Sequence, residues 1–197
     1  MIIPRAFYER DTLTVARELL GQILVRRTEE GETRGIIVET EAYLGEKDDA
    51  AHSYKGKSDR VRVQYGPAGM AYIYMIYGMY NCLNITSGPP GVPEAILIRA
   101  LEPVSGIGLM KDSRRTDKLT QLCSGPGKLC MAMDIDKTLY GADLCQAGPV
   151  YLEYGQVPAE TEASKRIGID YAALCRDKPW RFTIPGNPHV SVPRRIK

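Results

Sequence analysis

Residues 71–86 read Ala71-Tyr72-Ile73-Tyr74-Met75-Ile76-Tyr77-Gly78-Met79-Tyr80-Asn81-Cys82-Leu83-Asn84-Ile85-Thr86. Both halves are rich in aromatic and β-branched residues, and Gly78 supplies a natural turn between them. The stretch therefore predicts two antiparallel strands joined through Tyr77-Gly78-Met79-Tyr80. Working outward, Asp11 or Thr12 caps a short helix whose stripe is Leu13, Ala16 and Leu20, and Gly21 stops it. Strands are expected at 22–27, 35–41 and 95–100, with a long polar loop over 45–69. Helical pieces are expected at 104–111 and 125–133, and the chain is expected to end in a weakly ordered, Pro-rich stretch. The fold class is α+β: one domain over 1–197, with a curved, largely antiparallel sheet, a protruding β-hairpin and surrounding helices.

The composition agrees with such a domain. The chain has 197 residues, 44% hydrophobic and 25% charged, enough to bury a core. Its apolar runs fall far short of the ~20 residues of a membrane span, and no secretory signal opens it. Lys and Arg number 26 against 24 Asp and Glu, a net charge of +2. Residues 1–50 hold 7 basic and 11 acidic side chains, a net −4 that leaves +6 for the rest. Local patches, not the total, therefore decide whether a polyanion is attracted. The five cysteines (82, 123, 130, 145 and 175) are odd in number and contain no Cys-x-x-Cys pair. Reduced, buried thiols are expected, with no disulfide framework, metal site or cofactor.

Four constellations carry chemical possibilities. On a strand, Glu39, Glu41 and Tyr43 project to one face. A carboxylate kept from bulk water can act as a general base, paired carboxylates are also the equipment of glycoside hydrolysis, and a solvated edge-strand face is the plain alternative. The chain carries 12 Tyr but only 2 Phe and 1 Trp. Tyr72 and Tyr74 share a strand face, and Tyr77 and Tyr80 stand at the hairpin tip. Rings with a wet hydroxyl suit stacking on nucleobases as well as the rim of a core. Arg99 lies inside an apolar run and calls for a carboxylate or phosphate, with Glu41 or Glu102 as the candidate partners. Cys123-Ser124-Gly125-Pro126-Gly127-Lys128 lacks the Walker spacing and reads as a helix start capped by Ser124, with room for one backbone phosphate beside Lys128.

In order, Val38-Glu39-Thr40-Glu41-Ala42-Tyr43-Leu44-Gly45, Asp49-Ala50-Ala51-His52-Ser53, the Tyr74–Tyr80 segment, Asn84-Ile85, Leu97-Ile98-Arg99-Ala100-Leu101-Glu102-Pro103, residues 122–130 and Arg166-Ile167-Gly168-Ile169 resemble the alkyladenine (3-methyladenine/N-methylpurine) DNA glycosylases. The resemblance covers about residues 5–193. It implies a monofunctional hydrolase of base excision repair that flips a damaged purine from double-stranded DNA and releases it with an activated water. By resemblance, Tyr77 fills the vacated stack, while Tyr43, Tyr74 and His52 sandwich the base. The backbone of Ala50 and His52 reads its edge, and Asn84 excludes a normal guanine by meeting its 2-amino group. Glu41, with Arg99 and the carbonyl of Ile167, holds and deprotonates the water, and Glu39 supports. Arg60, Arg62, Lys128 and the Arg194-Arg195 end are the expected phosphate contacts, although 58–64 departs from the family pattern. No cofactor or metal is implied. A compact bacterial, cytoplasmic, nucleoid-associated monomer is expected. The alternatives from other classes are a non-catalytic nucleic-acid-binding module and a carbohydrate hydrolase using Glu39 and Glu41.

Overall fold

The computed structural model describes residues 1–191; the Arg194-Arg195 end lies outside them. Two short helices open the chain, α1 (Arg5–Tyr8) and α2 (Thr12–Glu18). Asp11 is the cap of α2, its carboxylate accepting the Thr14 amide at 2.9 Å. Strands β1 (Ile23–Thr28) and β2 (Gly31–Tyr43) follow, joined by a tight turn at Glu29-Glu30. The long loop contains two 3-10 turns, Gly45–Lys47 and Asp59–Tyr65. Next come β3 (Ala71–Ile76), β4 (Tyr80–Ser87) and β5 (Glu94–Ser105). Helices α3 (Ile107–Arg114), α4 (Leu119–Leu122) and α5 (Pro126–Ala132) lead to β6 (Val150–Glu153), β7 (Glu162–Ser164) and β8 (Arg181–Thr183).

These eight strands form one curled antiparallel sheet among the described residues, in the order β3-β4-β5-β2-β1-β6. β8 takes over the edge of β2 where β1 leaves it, and β7 pairs with β8. The mixed α+β class is thus observed. β2 is the spine: β5 runs along one side of it, while the register along β2 shifts between Ile37 and Glu39 and again before Thr40. Such irregularities re-aim side chains and are frequent beside active sites. Here they fall at the glutamates.

The apolar residues alternate into one main core. Ile37, Leu83, Ile85, Ile96, Ile98 and Leu101 from the sheet pack with Val15 and Leu19 near α2 and Leu129 and Cys130 of α5. All five thiols are free. Two helical expectations in the second half of the chain shift. Val104 belongs to β5, because the strand continues through Pro103 to Ser105, and the helix begins only after the left-handed Gly106. Ser124 is not the cap of α5: Gly125 occupies that position at φ 149, and Ser124 Oγ instead accepts Lys128 Nζ at 3.5 Å. Gly127 lets α5 approach the hairpin, since a Cβ there would stand 3.0 Å from the Tyr80 side chain.

Helix α2 stops earlier than expected, at Glu18 with Leu19 as its cap, and a turn carries the chain to Gly21 at φ 85. A Cβ on it would lie 2.0 Å from the Gln156 carbonyl oxygen and 2.9 Å from Pro158 Cδ. Both backbone strain and a backbone clash oppose a side chain there. Gly21→Ala should lower unfolding stability by about 2 kcal/mol or more. Urea denaturation reads this directly, and an unchanged midpoint would contradict it.

Candidate active site

Glu39 and Glu41 are each 0% exposed, so the solvated-edge reading of this strand does not hold. One guanidinium reaches both: Arg99 Nε donates to Glu39 Oε1 at 2.8 Å, and Arg99 Nη1 lies 3.3 Å from Glu41 Oε2. Glu102, the other candidate partner of Arg99, accepts from Asn187 instead.

The two carboxylates have different surroundings. Glu39 Oε1 also accepts from Arg181 Nε (2.8 Å) and Ser191 Oγ (2.9 Å), and Oε2 accepts the Ser191 amide (2.7 Å). Burial works against its charge, but Arg99, Arg181 and the Ser191 amide outweigh it and hold the carboxyl below the usual range. Glu41 Oε1 accepts the Ile167 amide at 2.7 Å, and Oε2 accepts the Tyr43 hydroxyl at 2.8 Å. The contact from Ile167 thus runs through its N–H.

Among the described residues, the three groups that meet the Glu41 carboxylate, Tyr43, Arg99 and Ile167, all belong to the wall of one cavity of about 360 Å³. Glu41 itself lies just behind that wall, while Tyr43, Arg99 and Ile167 line it. Ala50, His52, Tyr74, Tyr77 and Asn84 line it too, so nine residues predicted for substrate, catalysis or stack filling converge here, counting Glu41 behind the wall. His52 and Tyr74 meet edge to face, centroids 4.5 Å apart, and form one wall together. Asn84 Nδ2 donates to the carbonyls of Tyr72 (3.1 Å) and Cys82 (3.3 Å), which pins the amide.

The hairpin tip overhangs this cavity. Tyr77 and Gly78 both have positive φ (50 and 69), and the Met79 amide donates to the Ile76 carbonyl at 3.2 Å. This is a type I′ turn, which normally avoids a bulky residue at its first central position. Tyr77 nevertheless stands there, 87% exposed. A strained, wet aromatic at a loop tip points to a task outside the fold.

Basic residues flank the hairpin on both sides. Arg60 and Arg62 line a groove with Lys137 and Tyr140, and Lys128 lies with Arg114 in a second groove beside Tyr80. Arg60 also covers the back of the aromatic wall. Its guanidinium lies 5.3 Å from the Tyr74 ring, and Nη2 donates to His52 Nε2 at 3.3 Å. His52 Nδ1 then carries the proton and donates to the Tyr72 hydroxyl at 2.8 Å.

Sequence reasoning did not single out the groups that tie these walls together. Arg166 Nη2 donates to Asp48 Oδ1 at 2.8 Å, Nη1 bonds Asp48 Oδ2 and the Ala42 carbonyl, and both side chains are fully buried. Its guanidinium is sandwiched by Tyr43 (4.6 Å) and Trp180 (5.0 Å). Asp48 also accepts the Leu44 and Ala50 amides, and Asp49 accepts three consecutive amides, Ala173 to Cys175. The carboxylates of the Asp48–Asp49–Cys175 cluster are thereby engaged by the protein. The only signal in the sequence was that Asp48 adjoins, and Arg166 begins, stretches that resembled family motifs.

The chain is similar to known proteins along nearly its whole length. The family model for methylpurine-DNA glycosylase matches residues 6–188. A protein of Methanocella arvoryzae, provisionally named 3-methyladenine DNA glycosylase, is 49% identical over 191 residues, 96% of either chain. One of Desulfitobacterium hafniense with the same provisional name is 46% identical, covering 95% of this chain and 97% of its own. The DNA-3-methyladenine glycosylase of Mus musculus is 45% identical over 96% of this chain and 61% of its own length.

The aromatic wall has a measurable electrostatic consequence. Packing against Tyr72 and Tyr74 strips water from the His52 imidazole, and the Arg60 charge adds to the effect, lowering its pKa from 6.5 to about 4. An NMR titration should find His52 neutral through pH 6, and Arg60→Gln should move its midpoint upward. An ordinary histidine midpoint in the unsubstituted protein would show that the wall is not packed as described.

Proposed function

The chain belongs to the methylpurine-DNA glycosylase family, DNA-repair hydrolases of the N-glycosidic bond, and from that premise we propose how it works on DNA. It flips a damaged purine of the 3-methyladenine, 7-methylguanine, hypoxanthine and ethenoadenine class out of duplex DNA and cuts its glycosidic bond with water. An abasic site remains, and the strand is left intact. The observation that carries this reading is the buried Glu41 carboxylate, held by Arg99, Tyr43 and Ile167 at the wall of a tyrosine-lined cavity beneath an exposed aromatic tip.

In the proposed mechanism Tyr77 enters the stack as the purine leaves it. Base–aromatic stacking is worth about 1–3 kcal/mol, which offsets much of the unstacking cost. The extruded base lies between Tyr43 and the His52–Tyr74 wall, with the Ala50 and His52 backbone at its edge. Asn84, held by two carbonyls, crowds the 2-amino group of a normal guanine, a cost that the weakened glycosidic bond of cationic 7-methylguanine offsets. Glu41 gives up its bond to the Tyr43 hydroxyl to accept a proton from water. The water oxygen bonds C1′ as the C1′–N electron pair leaves with the base. An N3- or N7-alkylated purine is already cationic and departs neutral, so these substrates need no second acid, while hypoxanthine or ethenoadenine takes a proton from solvent as it leaves. Among the described residues no lysine lines the cavity, which favours water over a Schiff base as nucleophile. Arg60, Arg62 and Lys128 meet phosphates on the two flanks of the hairpin, and the protein acts as a monomer on the DNA of the cytoplasm.

The alternatives fare less well. Glu39 and Glu41 share Arg99 and lie side by side, whereas glycoside hydrolysis places its carboxylates on opposite sides of the scissile bond. A passive binding module has no use for a buried carboxylate behind its ligand cavity.

Two substitutions test the reading. Glu41→Gln should retain binding to lesion-bearing duplex while base release falls roughly 10²–10⁴-fold, the scale of general base catalysis. Unaltered release would remove Glu41 from the chemistry. Tyr77→Ala should slow excision from a well-paired lesion by roughly fivefold or more, and from a bulged or mismatched one by less, as expected from lost stacking. Equal rates on the paired lesion for the variant and the unsubstituted enzyme would deny Tyr77 its wedge role.

A further inference from the structure

The cavity wall contains a tyrosine to which neither the family resemblance nor the proposed mechanism gives a task. Tyr171 follows β7, on the stretch that begins with Ile167, and lines the same cavity. As a residue it is 69% exposed, yet its hydroxyl turns in and donates to the Ala50 carbonyl at 3.0 Å. The surrounding backbone is firmly tied. The Ala173, Leu174 and Cys175 amides converge on Asp49, the Ala172 amide donates to the Ile169 carbonyl, and Ala50, Ile169 and Ala172 pack together beside Tyr43.

Three other polar side chains around the cavity are more tightly committed. The Tyr43 hydroxyl donates to Glu41, the Tyr72 hydroxyl accepts from His52, and both amide hydrogens of Asn84 are directed at carbonyls. Tyr171 differs in kind. Its proton rests on the backbone carbonyl of a residue that lines the same cavity, and a hydroxyl oxygen keeps acceptor capacity while it donates. Partial burial lifts its pKa above the ordinary tyrosine value, so the hydroxyl keeps its proton at neutral pH.

We infer that the Tyr171 hydroxyl is a specificity-determining group, a reversible donor and acceptor that lets one cavity take both 6-amino and 6-oxo purines. The inference rests on the glycosylase reading and assigns it a residue. A 6-amino purine presents a donor at position 6 and an acceptor at N1; a 6-oxo purine presents the reverse. With its proton on Ala50, Tyr171 offers an oxygen to the exocyclic N–H of a 6-amino base. Rotated about its C–O bond, it donates to O6 of a 6-oxo base and frees the Ala50 carbonyl for N1–H. Only the 6-oxo edge depends on the hydroxyl's proton, because the Ala50 carbonyl alone can serve an exocyclic amine.

The test is Tyr171→Phe, which keeps the exposed ring and removes only the hydroxyl. Duplex DNA treated with dimethyl sulfate carries 3-methyladenine, a 6-amino base, and 7-methylguanine, a 6-oxo base, in the same molecules. The ratio of their kcat/KM values is therefore read in one reaction. Tyr171→Phe should release 7-methylguanine about tenfold less efficiently relative to 3-methyladenine, the scale of one neutral hydrogen bond. A ratio equal to that of the unsubstituted enzyme, a uniform loss on both bases, or a gain on 7-methylguanine would overturn the assignment. Release of neither base by the unsubstituted enzyme would instead overturn the glycosylase reading itself, so the two failures are distinct.

Discussion

One guanidinium joined to two buried carboxylates is the constraint around which this protein is arranged. Glu39 and Glu41 point to the same side of the central strand, are fully buried, and meet at Arg99. Carboxylates removed from water are costly unless cations and hydrogen-bond donors surround them. Arg181 and Ser191 complete the shell of Glu39 from the far side. The shell of Glu41 is completed by Tyr43 and Ile167, which are also cavity walls. Identical side chains two residues apart thus acquire different work. Glu39 is saturated and anchors Arg99, while the partners of Glu41 face the space where a guest would sit.

A second buried pair determines the shape of that space. Arg166 and Asp48 connect the end of β2, the loop bearing Ala50 and His52, and the segment from Ile167 to Tyr171. The Arg166 guanidinium also backs the ring of Tyr43. Two neighbouring stretches and a third 118 residues on in the chain are held at fixed separations, as a site that must align a base with a carboxylate requires. The hairpin is the contrasting part, with a strained and exposed tip on a well-paired ribbon.

What could be read from the sequence follows the range of the physics. Local signals were legible: the aromatic and β-branched runs of β3 and β4 around the Gly78 turn, the Asp11 cap and the shared face of Glu39, Glu41 and Tyr43 each depend on near neighbours. Boundaries failed where a local rule met a competing contact. Pro103 did not end β5, and Ser124 gave the cap position to Gly125 and turned to Lys128. The choice of Glu41 over Glu39 came from family resemblance, because the strand period treats both alike; the surroundings that separate them come from residues 126 to 152 positions away. Arg166 with Asp48, 118 residues apart, and Tyr171 with Ala50, 121 apart, gave no signal in spacing.

The central claim is that a carboxylate just behind the cavity wall directs water onto the sugar carbon of an extruded purine. Its most direct measurement is incubation of the protein with duplex DNA bearing alkylated purines, followed by chromatography of the small molecules and electrophoresis of the strands. The account predicts free alkylated base together with strands that stay intact until alkali cleaves the abasic sites. Absence of free base, or strands nicked by the protein itself and trapped on it by borohydride, would contradict it.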